Sequence, residues 1–565
     1  MSRTTGAQSF VEALKEEKTS FLFGLPGGTE IPILDLLVVD DSIEYVLGLH
    51  EGCVVGMADG YARASRSAAV ASVHSSVGTA NSISGLYNSY RDGIPVILVA
   101  CDVDARIAIH EPFLWAKSLV ETVQQFTKYS VRVSTASDIP IALSRALRIA
   151  LTPPTGPTFL NIPTNLLAEE IDYSILPSRK ARIPMRMRAD PTRIAQAADM
   201  LSNAKAPVIL AGYEISKSNA FRELREMSEL LQAPVFAEPF SLNIVSPQPL
   251  AQISTSDHQL YVGVFHPNHE LVQTCDIILA VGCRMFMFAA YPPPSLNANV
   301  KVIHMSENPH ELAKNSLADL PMMSDVKLGL NDLAAEIRTK TIQPPPQERI
   351  RAIAASRERL ISERKAAQAI QMVESPITGT RLMAALRASL NDKTIIVDEA
   401  IRFQSYFEFY NFRELDSFIG EPSGGALGWG VPAALGVKLA RADRPVVAVI
   451  GDGSFAFSIQ GLWTASKYNI PVVYIVCNNA GYAAEKALFF NYNGNAHRLG
   501  KYIGCDIENV NYAKIAEGFG VAGSVVERAS ELSSTIKSAL ARNEPYVIDV
   551  QMDRKDTGFR GPKLP

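Results

Sequence analysis

The sequence predicts an α/β protein built from three doubly wound parallel-sheet units. Three observations carry that prediction. Short apolar runs alternate with segments of helical spacing along nearly the whole chain of 565 residues. Strands separated by helices run parallel, and both faces of such a sheet are covered. Many runs end in turns rich in Gly, Ser, His or Asp, and open α/β sheets bind ligands at the carboxyl ends of their strands. The length exceeds what one hydrophobic core supports. The units are set at 1–185, 190–342 and 376–552, with a linker at 343–375 and a tail at 553–565.

Composition narrows the function classes. The chain is 47% hydrophobic and 20% charged, with a net charge of −4. That is ordinary globular composition, without the basic surface a nucleic-acid partner requires. Cysteines 53, 101, 275, 283, 477 and 505 form no CxxC pair and lie mostly in apolar runs. They read as reduced core residues of a cytoplasmic protein. The start, MSRTTGAQSFVEALKEE, reads as a soluble amphipathic helix and lacks the apolar core of a signal peptide. No apolar run is long enough to cross a membrane, so no membrane partner is expected.

In the first unit a helix at 7–17 precedes a strand at 21–23 and the turn Gly24-Leu25-Pro26-Gly27-Gly28. Residues 42–49 are strand-like, 53–63 helical, 68–73 a strand and 82–91 helical; 95–100 and 158–162 are further strands. Two residues stand at strand ends. Glu51 precedes a small-residue helix, where a carboxylate is favoured by the helix dipole even without a catalytic role. His74 opens the turn HSSVGTAN, and a lone histidine is more often structural. The second unit carries strands at 207–212, 233–236, 276–282 and 300–304 and no strong dinucleotide fingerprint. The charged run 347–368 reads as a solvated helix face in a linker. The third unit has strands at 394–397, 446–450, 471–476 and 546–550, a helix from about 457 to 468, and a further segment at 518–525. The tail, rich in Lys, Arg, Gly and Pro, reads as mobile, with folding over a site as the alternative.

The stretch VAVIGDGSFAFSIQGLWTASKYNIPVVYIVCNNAGYAA (447–484) organises the third unit. It is a strand–helix–strand unit with polar groups at both strand ends. Gly451 and Gly453 let backbone approach a ligand, and the helix start behind them, with Ser454, favours phosphate. Asp452 and the side-chain oxygen of Asn479 are hard donors suited to Mg²⁺, with Ca²⁺ as the alternative.

That stretch resembles the thiamine diphosphate signature, in which GDG is followed by about two dozen residues and then NN. Here 24 residues (454–477) separate Gly453 from Asn478, and GDGSF, the spacing and CNNAGY together make a specific signal. With HEGCVVGMADGYA, HSSVGTAN and GDGSFAFSIQGLWTASKYNIP, the chain resembles thiamine diphosphate enzymes of the pyruvate oxidase/decarboxylase type, nearest in flavour to the benzoylformate decarboxylases. The resemblance covers nearly the whole chain and implies pyrimidine-binding, central and pyrophosphate-binding domains in that order.

It also implies residue roles. Asp452, Asn479 and the carbonyl of Gly481 hold the metal that anchors the diphosphate, with Tyr482 beside them. The carbonyl at Gly425 receives the cofactor's amino group, and Leu427 lies beneath the cofactor. Glu51 hydrogen-bonds the aminopyrimidine, so that its 4′-nitrogen takes the thiazolium C2 proton. His74 is an acid–base group, and His110 is a second candidate against a surface role. Glu485 matches the spacing of an active-site glutamate in pyruvate and indolepyruvate decarboxylases; burial would raise its pKa and suit it to return a proton after carbon dioxide leaves. Gly28, Leu114, Ala289, Ala484 and Leu488 fall at substrate-pocket positions. Gly28 and Ala289 replace the serine and second histidine of the benzoylformate decarboxylases, which weakens transfer of that particular reaction.

The expected function is therefore decarboxylation of an aromatic or branched 2-oxo acid to an aldehyde by a homodimer at minimum, with a homotetramer as the expected assembly. The alternatives are a carboligase or lyase acting on 2-hydroxyketones, a 2-hydroxyacyl-CoA lyase, and a non-catalytic cofactor-binding protein. Whether the central domain holds a nucleotide such as FAD, as acetohydroxyacid synthases do, stays open.

Overall fold

The computed structural model describes residues 3–172, 186–239, 259–285, 296–315, 317–341, 344–368, 376–410, 412, 414, 416–556 and 558. Three parallel six-stranded sheets form its framework, each covered by helices. Edge to edge, the first runs Glu44–Leu47, Phe21–Gly24, Ala69–His74, Val96–Asp102, Thr158–Pro163, Tyr129–Arg132. The third runs Phe418–Ile419, Ile395–Glu399, Val446–Gly451, Val472–Asn478, Tyr546–Gln551, Ala522–Val526. Numbered within each sheet, both orders are 2-1-3-4-6-5. The central sheet is Tyr261–Val264, Val235–Ala237, Pro207–Ala211, Ile277–Val281, Lys301–Ser306, Leu320–Met323, an order of 3-2-1-4-5-6.

The inner strands are mostly apolar and buried, as both-face coverage requires, with polar residues such as Asp102, Glu399 and Asp549 near their carboxyl ends. The strands that sequence pattern alone passed over, Tyr129–Arg132, Tyr261–Val264, Leu320–Met323 and Phe418–Ile419, are all at sheet edges. There one side is unpaired and the apolar run is shorter. A two-stranded antiparallel pair, Arg3–Thr5 with Glu170–Asp172, was also not expected.

The first and third units share one apolar core, in which helix Glu51–Ser65 lies against helix Gly430–Ala440. Their backbones touch. A Cβ on Gly60 would lie 2.2 Å from the Ala433 carbonyl oxygen, and one on Gly436 would lie 2.0 Å from that of Met57. Only glycine fits at either position. The same contact carries the Glu51 end of the helix to the third unit, where Cys53 Sγ lies 3.9 Å from the Ser458 carbonyl oxygen.

One helix differs from expectation. Instead of a single helix near 457–468 there are two, Asp452–Phe457 and Gly461–Lys467. Ser458 leaves the helical region (φ −138°, ψ 28°), and the first helix starts directly at the strand end. Asp452 is thus the first helical residue, not a turn residue. The charged run is a helix, Gln347–Gln368, but one face is not solvated: Arg349 and Ile353 are buried, Ile353 within the apolar cluster of the central sheet. All six cysteines are buried and unpaired. Among the described residues no helix is long and apolar enough to cross a membrane.

Candidate active site

Each sheet has one topological switch point, where neighbouring strands depart in opposite directions, and that is where a crevice opens. In the third sheet it lies between Ile395–Glu399 and Val446–Gly451. Asp452 stands at its mouth, only 2% exposed. Its Oδ2 accepts the Gly481 N–H at 2.9 Å, and Asn479 Oδ1 accepts the same N–H at 3.2 Å. The two side-chain oxygens therefore converge on one point. Asp452 has no ion-pair partner among the described residues, and burial pushes its carboxyl up to about 6. A buried carboxylate and an amide oxygen side by side, with no ion-pair partner among the described residues, are donors that fit a hard divalent cation. Gly453 leaves room for the Tyr482 ring, which a Cβ would meet at 2.4 Å. Ser454 is buried in the first turn of the same helix.

Beside this crevice runs the turn 422–430. Gly425 has φ +72° and Gly428 φ +88°, a conformation that favours glycine. A Cβ at Gly425 would meet nothing within 4 Å, so this corner faces open space. Leu427 is half-buried. The turn is fixed from three sides by residues that sequence reasoning passed over. Glu399 accepts the N–H groups of Gly428, Trp429 and Gly430 at 2.8, 3.1 and 2.6 Å. Asn88 donates to the Ala426 carbonyl at 2.9 Å and accepts the Ala426 N–H at 3.1 Å. Asp92 accepts the Ser423 N–H at 3.2 Å. Burial pushes Glu399 up to about 7.

In the first sheet the switch point lies between Phe21–Gly24 and Ala69–His74. His74 ends the second of these strands. Its Nδ1 lies 3.0 Å from Glu30 Oε2 and 2.9 Å from Thr29 Oγ1. Glu30 is 2% exposed, and burial raises its pKa. With Glu30 ionised the carboxylate only accepts, so that Nδ1 would carry the proton and Nε2 would be left to act elsewhere. Gly27 packs on the imidazole, 2.1 Å from it at the Cβ position, whereas a Cβ on Gly28 would meet nothing within 4 Å. Glu51 is 6% exposed, and its Oε2 accepts from Asn81 Nδ2 at 2.9 Å. Glu51 and His74 belong to one neighbourhood: a Cβ on Gly78 would lie 3.2 Å from Glu51 Oε1 and 3.1 Å from Val73. Glu30, like Glu399, gave no sequence signal beyond being a carboxylate near a strand end.

The remaining predicted residues are placed less tightly. His110 is exposed. Leu114 adopts φ +66°, and its carbonyl accepts from the hydroxyls of Ser75 (3.0 Å) and Ser76 (2.8 Å). This ties the 105–115 loop to the His74 turn. Glu485 is exposed in the first turn of helix Ala483–Tyr492, so the burial expected to tune it is absent in the single chain. Ala484 is half-buried and Leu488 is 64% exposed. Ala289 lies outside the described residues. No hydrogen bond or ion pair among the described residues joins Glu51 or His74 to the Asp452 crevice. Within one chain the predicted residues therefore form two half-sites. The near end of the tail is held, since Asp556 accepts the Gly379 N–H and the Tyr406 hydroxyl, both at 2.7 Å.

The central switch point is closed by the chain's own groups. A Cβ on Gly212 would lie 2.1 Å from the Gly282 carbonyl oxygen. Glu214 is fully buried there, accepting the Ser306 hydroxyl at 2.7 Å and the Glu307 N–H at 3.0 Å, and is pushed up to about 7 by burial and then by Glu307.

Three family models match in the order of the three sheets. They are the N-terminal TPP binding domain of thiamine pyrophosphate enzymes at residues 4–118, the central domain at 194–333 and the C-terminal TPP binding domain at 403–550. The chain belongs to the thiamine diphosphate-dependent enzymes of the pyruvate oxidase/decarboxylase superfamily. Within it, the chain is an enzyme of the thiamine diphosphate-dependent decarboxylase and lyase kind. It is 28% identical to a probable acetolactate synthase large subunit of Methanocaldococcus jannaschii, over 97% of this chain and 92% of that protein. It is likewise 28% identical to a benzoylformate decarboxylase of Pseudomonas aeruginosa, over 95% and 97%. Among solved structures it is similar to the thiamine diphosphate-dependent 4-hydroxybenzoylformate decarboxylase of Rhodococcus jostii, with a TM-score of 0.81 and 27% identity over 97% of this chain and 99% of that one.

Proposed function

We propose that the protein decarboxylates an aromatic or branched 2-oxo acid to an aldehyde, with thiamine diphosphate and Mg²⁺. The observation that carries this reading is the His74–Glu30 pair at one switch point, opposite in kind to the Asp452–Asn479 oxygen pair at the other. Bound thiamine diphosphate supplies the electron sink for the departing carbon dioxide. The protein supplies position and protons. Asp452, Asn479 and the Gly481 carbonyl hold the metal. Gly451, Gly453 and Ser454 face the diphosphate at a helix start. The Gly425 carbonyl and Leu427 orient the pyrimidine, Glu51 bonds its ring nitrogen, and Tyr482 walls the diphosphate side.

His74 holds its Nδ1 proton against Glu30 and moves a proton through Nε2 at the reacting carbon. Gly28, Leu114, Ala289, Ala484 and Leu488 border the substrate; His110 and Glu485 are further acid–base groups once a second copy covers them. Two half-sites in one chain support a homodimer as the minimum active unit, with closed symmetry giving a tetramer. A second reading, a carboligase or lyase of 2-hydroxyketones, is favoured by the open volume at Gly28, where an acceptor carbonyl has room.

A single-turnover assay with cofactor and Mg²⁺ tests both readings. Benzoylformate, pyruvate and branched 2-oxo acids are offered, and carbon dioxide and organic product are quantified. Stoichiometric aldehyde is expected. Carbon dioxide with a 2-hydroxyketone moves the assignment to the carboligases; cleavage of a 2-hydroxyketone with no acid consumed removes the decarboxylase.

A further inference from the structure

Helix Ile83–Asp92 grips the turn of Gly425 and Leu427 at two points one helical turn apart, Asn88 on Ala426 and Asp92 on Ser423. Gly424 lies flat on it: a Cβ there would be 2.3 Å from Asn88 Oδ1. The free corner of the turn is Gly425, facing open space. Whatever sets Asp92 therefore sets the direction of that corner.

Asp92 is set by two cations. Arg63 Nη2, from its own unit, donates to Oδ2 at 2.8 Å. Arg284 comes from the central unit, just past strand Ile277–Val281. Its Nη2 donates to Asp92 Oδ1 at 3.3 Å and to the Arg91 carbonyl at 2.9 Å, while Nη1 donates to the Ser423 hydroxyl. Its backbone N–H is fixed by Glu238 at 3.0 Å, and the guanidinium lies 4.4 Å from the Tyr213 ring centre. Arg284 is 8% exposed. One planar fork thus touches all three units, beside a cavity of about 370 Å³ lined by Arg63, Lys217, Glu421 and others. Apolar packing does not fill this junction, so polar contacts hold its register.

We infer that Arg284 is a positioning residue: acting through Asp92 and Ser423, it holds the cofactor turn from the central unit. The inference rests on the proposed role of Gly425 and Leu427. Calorimetric titration with thiamine diphosphate at saturating Mg²⁺ tests it, with thermal unfolding of each cofactor-free variant alongside. Arg284→Ala raises the cofactor Kd about tenfold, the size of one lost charge-assisted hydrogen bond, with the substrate KM unchanged. Arg284→Lys keeps the charge but not the fork and gives an intermediate Kd. If Arg284→Ala does not fold, Arg284→Lys carries the test with an expected rise of about threefold. Tyr213→Leu removes the ring face, together with the hydroxyl contact to Glu214, and keeps the Arg284 fork; it lowers the unfolding temperature and leaves Kd at the wild-type value.

The double variant Arg284→Ala/Asp92→Asn binds no more weakly than the weaker single variant, because the two act in series. Wild-type affinity in Arg284→Ala overturns the inference, as does equal weakening by Tyr213→Leu, which would make the effect general domain docking. Wild-type affinity and turnover in Leu427→Ala would instead remove the turn assignment beneath it.

Discussion

The first and third sheets have the same strand order, yet their switch points hold opposite kinds of group. The first presents titratable side chains: His74 on Glu30, with Glu51 a short distance away. The third presents oxygen groups and a turn held by fully buried Glu399, and the carboxylate at its mouth, Asp452, has no ion-pair partner among the described residues. On the proposed function, one frame used twice separates proton handling from cofactor holding. The segments proposed to border the substrate differ again. Phe113, Leu488 and Tyr492 are 88%, 64% and 83% exposed. On the proposed function, cofactor chemistry is fixed by buried backbone contacts, and substrate choice would be left to apolar surface that a second copy would cover.

Breaking the first switch point gives the largest expected effect. Glu51→Gln keeps the Asn81 contact in shape but removes the charge; kcat falls by about 10²–10⁴, with thermal stability near wild type, read by steady-state kinetics and scanning calorimetry. Breaking the third should act on binding instead. Asp452→Ala weakens Mg²⁺-dependent cofactor binding by about 10²-fold, the upper end for losing a metal-site group; dialysis against a chelator followed by metal titration reads it. Glu30→Gln is sharper, since it leaves His74 in place. It lowers kcat about tenfold and reshapes the pH profile of kcat, while the cofactor Kd stays constant. Leu488→Ala changes the ranking of 2-oxo acids through KM by a few fold, about the value of one apolar contact.

The smallest effect is on stability. Burial pushes Asp398, beside Glu399, up to about 8. A raised carboxyl contributes stability that is complete below the unfolded range, about pH 4, and that is lost as pH rises through about 8. The cofactor-free wild type should therefore lose stability between about pH 4 and about 8 in part through this group. Asp398→Asn flattens that decline in thermal unfolding curves.

Much of this was legible in the sequence, for a physical reason. Inner parallel strands must be apolar on both faces, so 69–74, 96–102, 446–451 and 472–478 read directly. The GDG and NN ends are short-range: Asp452 and Asn479 each sit at their own strand end, and parallel pairing of those strands brings them together. Of the edge strands, Tyr129–Arg132, Tyr261–Val264, Leu320–Met323 and Phe418–Ile419 were not legible, because short segments paired on one side lack a distinctive period. Neither were Glu30, Asn88, Glu399 and Arg284. Each acts on a residue 29 to 338 positions away, or across units, and such contacts leave no local pattern. The break at Ser458 was missed because helical spacing continues across it.

On the proposed function, Glu51 and the 422–430 turn together activate the bound cofactor. The direct test is the rate of hydrogen–deuterium exchange at C2 of thiamine diphosphate on the protein with Mg²⁺ and no substrate, followed by quenched-flow and proton NMR. Exchange much faster than for free cofactor is expected in the wild type, and a return toward the free rate in Glu51→Gln with cofactor still bound. Exchange no faster on the wild-type protein than in solution would contradict it and make the chain a cofactor-binding protein without the chemistry.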